Sequence, residues 1–131
     1  MQYYLVRLAY TAEAWQTLLG TRGDIDARLD NVRRLLKELG GSFADYGFFD
    51  DPKHVVKSKF VPFGAHDIVC IIATPNEGAA RAFQMAVSAE VGVKSIELTP
   101  MMPYADAINA MDAAQRARTD TKYFAPGGRA P

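Results

Sequence analysis

The sequence predicts an α+β fold of the ferredoxin-like βαββαβ type: an antiparallel sheet with helices on one face, followed by a C-terminal helix. Segments rich in Tyr, Val and Ile are typical of strands, and segments with apolar residues every three or four positions are typical of helices. They follow one another as strand, helix, strand, strand, helix, strand. A further amphipathic segment after Pro103 predicts the terminal helix.

Four segments are predicted to be strands, at positions 2–10, 42–49, 68–73 and 94–99. The third is almost continuously apolar, which is typical of a central strand. Gly47 weakens the second segment, because glycine is unfavourable inside a strand. Pro52 and the charged residues around it predict a loop or an extended hairpin arm between the second and third strands.

The first two helices are predicted from their ends as well as from their periodicity. Thr11 is a hydroxyl N-cap for a short helix that ends near Gly20, and Asp24 begins a stronger helix. The apolar residues of the stronger helix share one face: Ile25, Leu29, Val32, Leu36 and Leu39. Gly40-Gly41 supplies the left-handed exit that a helix end often needs.

Thr74 begins a predicted capping box for the next helix, with Pro75 in the first turn and Glu77 reaching back to the cap. The terminal helix has one apolar edge, formed by Tyr104, Ile108 and Met111. From Arg118 the chain is polar and rich in Pro and Gly. We therefore predict a single domain over residues 1–117 and a flexible tail over 118–131.

The composition of the 131 residues argues against several classes of protein. Fifteen basic residues balance fifteen acidic ones, which predicts neither a nucleic-acid partner nor an anionic membrane surface. No signal segment or membrane-spanning apolar run is apparent, so a cytoplasmic location is expected. With Cys70 as the single cysteine and only two histidines, we predict no disulfide, no metal site and no cofactor.

The third strand is apolar on both of its faces. Strand alternation assigns His66, Ile68, Cys70 and Ile72 to one face, and Asp67, Val69, Ile71 and Ala73 to the other. Two crossover helices cover only one side of such a sheet, so the other side needs a second cover. A second copy of the chain is the predicted cover, which makes the protein a homo-oligomer. The alternative is that the terminal helix folds over that side.

Arg7 falls in the middle of the first strand among apolar neighbours, where a guanidinium needs a partner. Glu97 in the fourth strand is the expected partner, because the first and fourth strands are neighbours in this fold. The functional alternative is that Arg7 anchors an anion in a cavity between packed sheets.

Three stretches of the sequence resemble the GYD-domain family of small bacterial proteins: Y-Y-L-V-R-L-A-Y-T-A-E-A-W, L-G-G-S-F-A-D-Y-G-F and F-G-A-H-D-I-V-C-I-I-A-T-P. The resemblance covers residues 3 to 105. Gly64, His66 and Asp67 stand where the family clusters Gly, Tyr and Asp, so His66 replaces the usual tyrosine. The resemblance implies a ferredoxin-like fold related to the dimeric α/β-barrel proteins, with an insertion over residues 49–60. It implies no established activity.

His66 and Asp67 are the candidate reactive residues. The third strand runs antiparallel to the first, so both are expected near Tyr10, with Trp15 on the first helical turn close by. A histidine, a carboxylate, a phenol and an indole at one edge of a sheet are suited to proton transfer. Adjacent strand residues point to opposite faces, however, so His66 and Asp67 are not expected to form a simple dyad.

Each candidate residue also has a purely structural interpretation. Asp67 would accept backbone N–H groups in a turn, as aspartates often do. His66 would face solvent or pack against a partner, and Tyr46 would pack in the core or an interface.

Two functions remain open from the sequence. The first is a homo-oligomeric module that binds a small apolar or aromatic molecule between paired sheets, through Arg7, Trp15, Asp67 and Tyr46. The second is a cofactor-free isomerase, oxygenase or cyclase of the dimeric-barrel type. In that enzyme His66 would be the general base, Tyr10 a hydrogen-bond donor and Arg7 an anion anchor.

Overall fold

Eight helices and strands make up the computed structural model, which describes residues 1–20, 25–44 and 64–128, with no side chains described for 25–29. They are β1 (Gln2–Tyr10), α1 (Ala12–Gly20), α2 (Ile25–Glu38), β2 (Ser42–Phe43), β3 (Ile68–Thr74), α3 (Glu77–Ser88), β4 (Val93–Met101) and α4 (Tyr104–Thr121). The chain divides into two compact units, Met1–Met101 and Met102–Pro131.

The sheet has four strands in the order β2-β3-β1-β4, and every neighbouring pair is antiparallel. The predicted α+β class with a four-stranded antiparallel sheet is therefore confirmed. Strand β1 is central: Arg7 lies opposite Val69 of β3 on one side and opposite Glu97 of β4 on the other. This register brings residues that are far apart in the sequence side by side.

Alternation along β1 separates the two faces of the sheet. Tyr4, Val6 and Leu8 are buried, whereas the residues between them are only half-buried. The buried side chains pack with Leu36 of α2 and Phe83 of α3. Burial of each large apolar side chain contributes about 1.5–3 kcal/mol, so this face of the sheet forms the core of the first unit.

Two predicted helix ends are confirmed. The Thr11 hydroxyl accepts a hydrogen bond from the Ala14 backbone N–H at 3.1 Å, which caps α1. After α2, Gly40 adopts a left-handed conformation with φ of 79°. The Gly41 N–H then donates to the Leu36 carbonyl at 2.8 Å, so the glycine pair satisfies a free carbonyl at the helix end.

The predicted cap of α3 is wrong by two residues. The N-cap is Asn76, whose side-chain oxygen accepts from the Ala79 N–H at 2.8 Å. Thr74 cannot take this role because it is still part of β3, where it pairs with Gln2 and is fully buried. Its hydroxyl donates to the Asn76 carbonyl at 2.9 Å instead and supports the turn.

Three of the four strands have bounds that differ from the predicted ones, and β3 is longer by one residue, Thr74. Within the described residues β2 covers only Ser42–Phe43, and the remainder of the predicted 42–49 segment from residue 45 onward lies outside them, as does the predicted insertion at 49–60. Strand β4 extends to Met101 and includes Pro100. A proline is tolerated there because β4 is an edge strand.

The second unit is built around α4, which ends at the left-handed residue Lys122. Helical structure therefore continues through Arg118, the position at which the sequence predicted a tail. The side chains of Tyr104, Ile108 and Met111 are exposed. Among the helices in the described part of the chain, none is long and apolar enough to cross a membrane.

Candidate functional site

The second face of the sheet, which we call the outer face, is an incompletely covered surface. It comprises the odd-numbered residues of the three long strands except Val93, which packs against the core; among them are Tyr3, Leu5, Arg7, Val69, Ile71 and Glu97. Leu5 and Ile71 are cross-strand neighbours and are half-buried. Val69 is 45% exposed, a large value for a β-branched strand residue: β1 pairs with it at Arg7, and the described pairs between β2 and β3 involve Ile72 and Ala73 instead. The outer face therefore offers an apolar surface to a ligand or a partner.

Arg7, His66 and Glu97 form a group of charged side chains on this face, which we call the Glu97 cluster. One carboxylate oxygen of Glu97, Oε2, lies 3.8 Å from Arg7 Nη1 and 3.7 Å from His66 Nε2. The predicted cross-strand pair of Arg7 and Glu97 is thus present. Both side chains are substantially exposed, 40% for Arg7 and 56% for Glu97, so the pair contributes little to stability.

The position of His66 follows from where β3 begins. Strand alternation predicted His66 on the same face as Ile68 and Cys70, which point toward the core. The strand begins only at Ile68, and residues 64–67 are bends and irregular backbone. The alternation therefore does not extend to His66, whose imidazole lies beside Glu97 with 23% of the side chain exposed.

Asp67 has a structural role at the junction of β1 and β3. Its carboxylate oxygen Oδ2 accepts a hydrogen bond from the Tyr10 backbone N–H at 2.8 Å. Its own N–H donates to the Leu8 carbonyl at 2.7 Å. Asp67 therefore binds a backbone N–H, as its structural interpretation predicted, but that N–H belongs to the neighbouring strand β1 and not to the turn after Gly64.

Tyr10 and Trp15 form an aromatic pair at the end of β1. Their ring centroids are 6.3 Å apart with an interplanar angle of 89°, the edge-to-face geometry that aromatic quadrupoles favour. Tyr10 packs against the buried core, whereas Arg7 belongs to the outer face. The structure therefore divides the predicted site into the Glu97 cluster and an aromatic pair, and Tyr46 lies outside the described residues.

Burial suppresses the reactivity of the single thiol. Cys70 lies on the core side of β3, and its desolvation raises the pKa of the thiol from 9.0 to about 12. The thiol therefore stays protonated at neutral pH and is a poor nucleophile. The described residues contain no group of three or more His, Cys, Asp or Glu that is placed to hold a metal ion.

Sequence reasoning did not pair His66 with Glu97. The pair depends on the bend at residues 64–67 and on the register of two strands that are both neighbours of β1. One available signal was Gly64, because glycine before a strand often marks irregular backbone. Gly64 therefore indicates that the alternation of side chains along the third strand does not extend back to His66.

Comparison of the chain with protein-family models, with curated proteins and with solved structures found no match. The chemistry of the site must therefore follow from its own residues. The outer face combines an apolar area with one carboxylate, one guanidinium and one imidazole. Such a surface can hold an apolar molecule and orient its polar end.

Proposed function

We propose that this protein is a homo-oligomeric binding module whose outer faces pair across a symmetric interface and enclose a small apolar or aromatic molecule. The observation that carries the proposal is the apolar outer face beside the Glu97 cluster, on the side of the sheet away from the core. We assign the fold to the ferredoxin-like type and the module to GYD-like, dimeric-barrel proteins acting in the cytoplasm.

The strand order supports the fold assignment. A βαββαβ chain that places its first and third strands in the centre has the order β2-β3-β1-β4, which is the order of this sheet. Helices α2 and α3 lie in the two crossover positions and contribute Leu36 and Phe83 to the same core. Within the described part of the first unit, both crossover helices therefore pack on the core face of the sheet, which supports another occupant for the outer face.

The apolar character of the outer face supports a second copy as the main occupant. Leu5, Val69 and Ile71 stand next to one another across β1 and β3. In a two-fold interface each copy presents the same patch, so an apolar area on one copy meets an apolar area on the other. The Glu97 cluster contains both signs of charge and leaves little net repulsion between copies.

Binding is a better supported function than catalysis. The enzyme alternative takes His66 as general base, and the Glu97 carboxylate 3.7 Å away is suited to orient the imidazole. The same alternative takes Tyr10 as the hydrogen-bond donor, but Tyr10 packs against the core beside Trp15. A binding module needs only the apolar area and the Glu97 cluster.

Paired lysine substitutions test the interface. Val69→Lys introduces an ammonium into the outer face, whereas Val91→Lys makes the same change at a residue that is 81% exposed and outside the sheet. We expect wild type and Val91→Lys to be dimers or larger at micromolar concentration in size-exclusion chromatography with light scattering. Val69→Lys should be monomeric, because burying an unpaired charge in the interface is costly.

Far-UV circular dichroism of each variant separates loss of assembly from loss of folding. A monomeric wild-type protein would contradict the proposal. So would a Val69→Lys protein that is folded and as fully assembled as the Val91→Lys protein.

A further inference from the structure

We propose that the molecule bound on the outer face is a small organic monoanion, a single ring that carries a carboxylate, and that Glu97 limits its affinity by competing for Arg7. This inference rests on the proposed function, because it names the ligand class of the same site. The charges of the Glu97 cluster define the polar end of this ligand, and the spacing of the apolar residues beside the cluster defines its ring.

Arg7 is the fixed member of the cluster. It lies in the middle of the central strand, between Leu5 and Ala9 on the outer face, and its backbone pairs with both β3 and β4. A guanidinium in this position binds a planar carboxylate through two parallel N–H groups, the geometry that arginine offers best. Arg7 is therefore suited to receive the anionic end of a ligand.

Glu97 is the displaceable member of the cluster. Its side chain is 56% exposed, and its closest carboxylate oxygen is 3.8 Å from Arg7, which is too long for a hydrogen bond. Arg7 loses only this long contact when Glu97 moves away, and the ligand carboxylate restores a negative charge beside the guanidinium, so the replacement has little cost. Glu97 therefore acts as an internal competitor that lowers the affinity for anions.

His66 supplies a second contact for the same anion. Its Nε2 atom lies 3.7 Å from the Glu97 oxygen that also faces Arg7. A ligand carboxylate is not attached to β4, so it can approach both groups more closely than this oxygen does and accept hydrogen bonds from the guanidinium and from a protonated Nε2. Two converging donors favour a carboxylate over a neutral amide, which brings no negative charge to them.

The spacing along β1 limits the size of the apolar part. Leu5 is two residues from Arg7 on the same face, a separation of about 7 Å along a strand. Ile71 stands opposite Leu5, and Val69 stands opposite Arg7. A single ring attached directly to a carboxylate covers Leu5 and Ile71 while its carboxylate reaches Arg7.

Benzoate and benzamide are matched probes for this ligand class, because they share the ring and differ in the charge of the polar group. Isothermal titration calorimetry of the full chain should give about tenfold tighter binding of benzoate than of benzamide. Glu97→Gln should tighten benzoate binding about threefold to tenfold and leave benzamide unchanged. Arg7→Gln should remove the preference for benzoate.

Glu77→Gln is the control for net charge. Glu77 is also an exposed partner of an arginine, Arg81 on α3, and the substitution changes the charge of the protein by the same amount. Its benzoate affinity should equal that of wild type. Circular dichroism of the Arg7→Gln protein verifies that its loss of preference for benzoate does not reflect unfolding. The tighter benzoate binding expected of Glu97→Gln is a second test, and unfolding could not produce it.

The outcomes distinguish the inference from the function on which it rests. Equal binding of benzoate and benzamide to wild type, or equal benzoate affinities of Glu97→Gln and Glu77→Gln, would overturn the anion inference and leave a binding module. No heat of binding for either probe at millimolar concentration would overturn the ligand-binding function together with the inference.

Discussion

Asp67 ties together the two central strands at the point where β1 becomes irregular. The register between β1 and β4 shifts between Ala9 and Tyr10, and the Asp67 carboxylate accepts the Tyr10 N–H there at 2.8 Å. The Asp67 N–H is bonded to the Leu8 carbonyl at the same time. Because His66 is the preceding residue, this anchor also fixes the start of β3 from which the imidazole reaches Glu97.

Removal of the Asp67 carboxylate should destabilise the protein. Asp67→Ala leaves the Tyr10 N–H without its acceptor, a loss of about 1–3 kcal/mol in the free energy of unfolding. Asp67→Asn should lose less, because the amide oxygen still accepts. Urea unfolding followed by circular dichroism measures both values. An Asp67→Ala protein as stable as wild type would contradict the anchoring role.

Cys70 provides a second residue-scale prediction. Since burial raises the pKa of the thiol to about 12, we expect native protein to react slowly with a disulfide reagent at pH 8 and rapidly once unfolded in urea. Fast reaction of the native thiol would show that the side chain is not desolvated.

The same shift makes stability depend on pH. The folded pKa of about 12 exceeds the ordinary value of 9.0, so an unfolded chain releases the thiol proton first as pH rises. The contribution is fully present below pH 9 and is lost as pH rises toward 12. The unfolding free energy of wild type, measured relative to Cys70→Ala, should therefore fall between pH 8 and pH 10. If the difference in unfolding free energy between wild type and Cys70→Ala did not change with pH, the raised pKa of Cys70 would be contradicted.

At the scale of the elements, the turn between α2 and β2 packs closely against β3. A Cβ atom added to Gly41 would lie 2.5 Å from the Ala73 carbonyl oxygen, closer than Cβ atoms approach non-bonded neighbours in proteins. Gly20, the last residue of α1, is a matched control because a Cβ atom there meets nothing within 4 Å. The two positions separate the effect of close packing from the general effect of replacing glycine.

Gly41→Ala should lower the free energy of unfolding by about 1–3 kcal/mol, because the turn between α2 and β2 must move away from β3. Gly20→Ala should change stability by about 0.5 kcal/mol or less. Chemical denaturation of the two variants under identical conditions provides the comparison. Equal stabilities would mean that the turn adapts without strain.

Local sequence patterns were sufficient to predict the order of the helices and strands, but not the contacts between them. The Thr11 cap, the glycine pair after α2 and the described part of the apolar stripe of α2 (Val32, Leu36 and Leu39) are encoded by residues within one or two turns of each other. The cap of α3 was misplaced because the pairing of Thr74 with Gln2 is a long-range contact. Strand pairing of Thr74 across the sheet competes with its local preference for a helix cap. A local sequence pattern contains no information about which of the two interactions is more stable.

At the scale of the whole molecule, the same limit applies to the candidate site. The expected pairing of the first and fourth strands predicted that Arg7 lies beside Glu97. In the structure Arg7 Nη1 is 3.8 Å from Glu97 Oε2. His66 reaches the same carboxylate because the backbone bends before β3. Strand alternation does not predict that bend. The separation of Tyr10 from Arg7 onto different faces of the sheet, in contrast, already follows from alternation along the first strand.

Pro100 in β4 has a consequence for how copies of this chain meet. Strand β4 lies at one edge of the sheet, where exposed backbone groups can template the addition of foreign strands. Proline has no N–H to donate, so it interrupts the row of donors that an incoming strand would need. Fibre-like growth by strand addition at this edge is thereby discouraged.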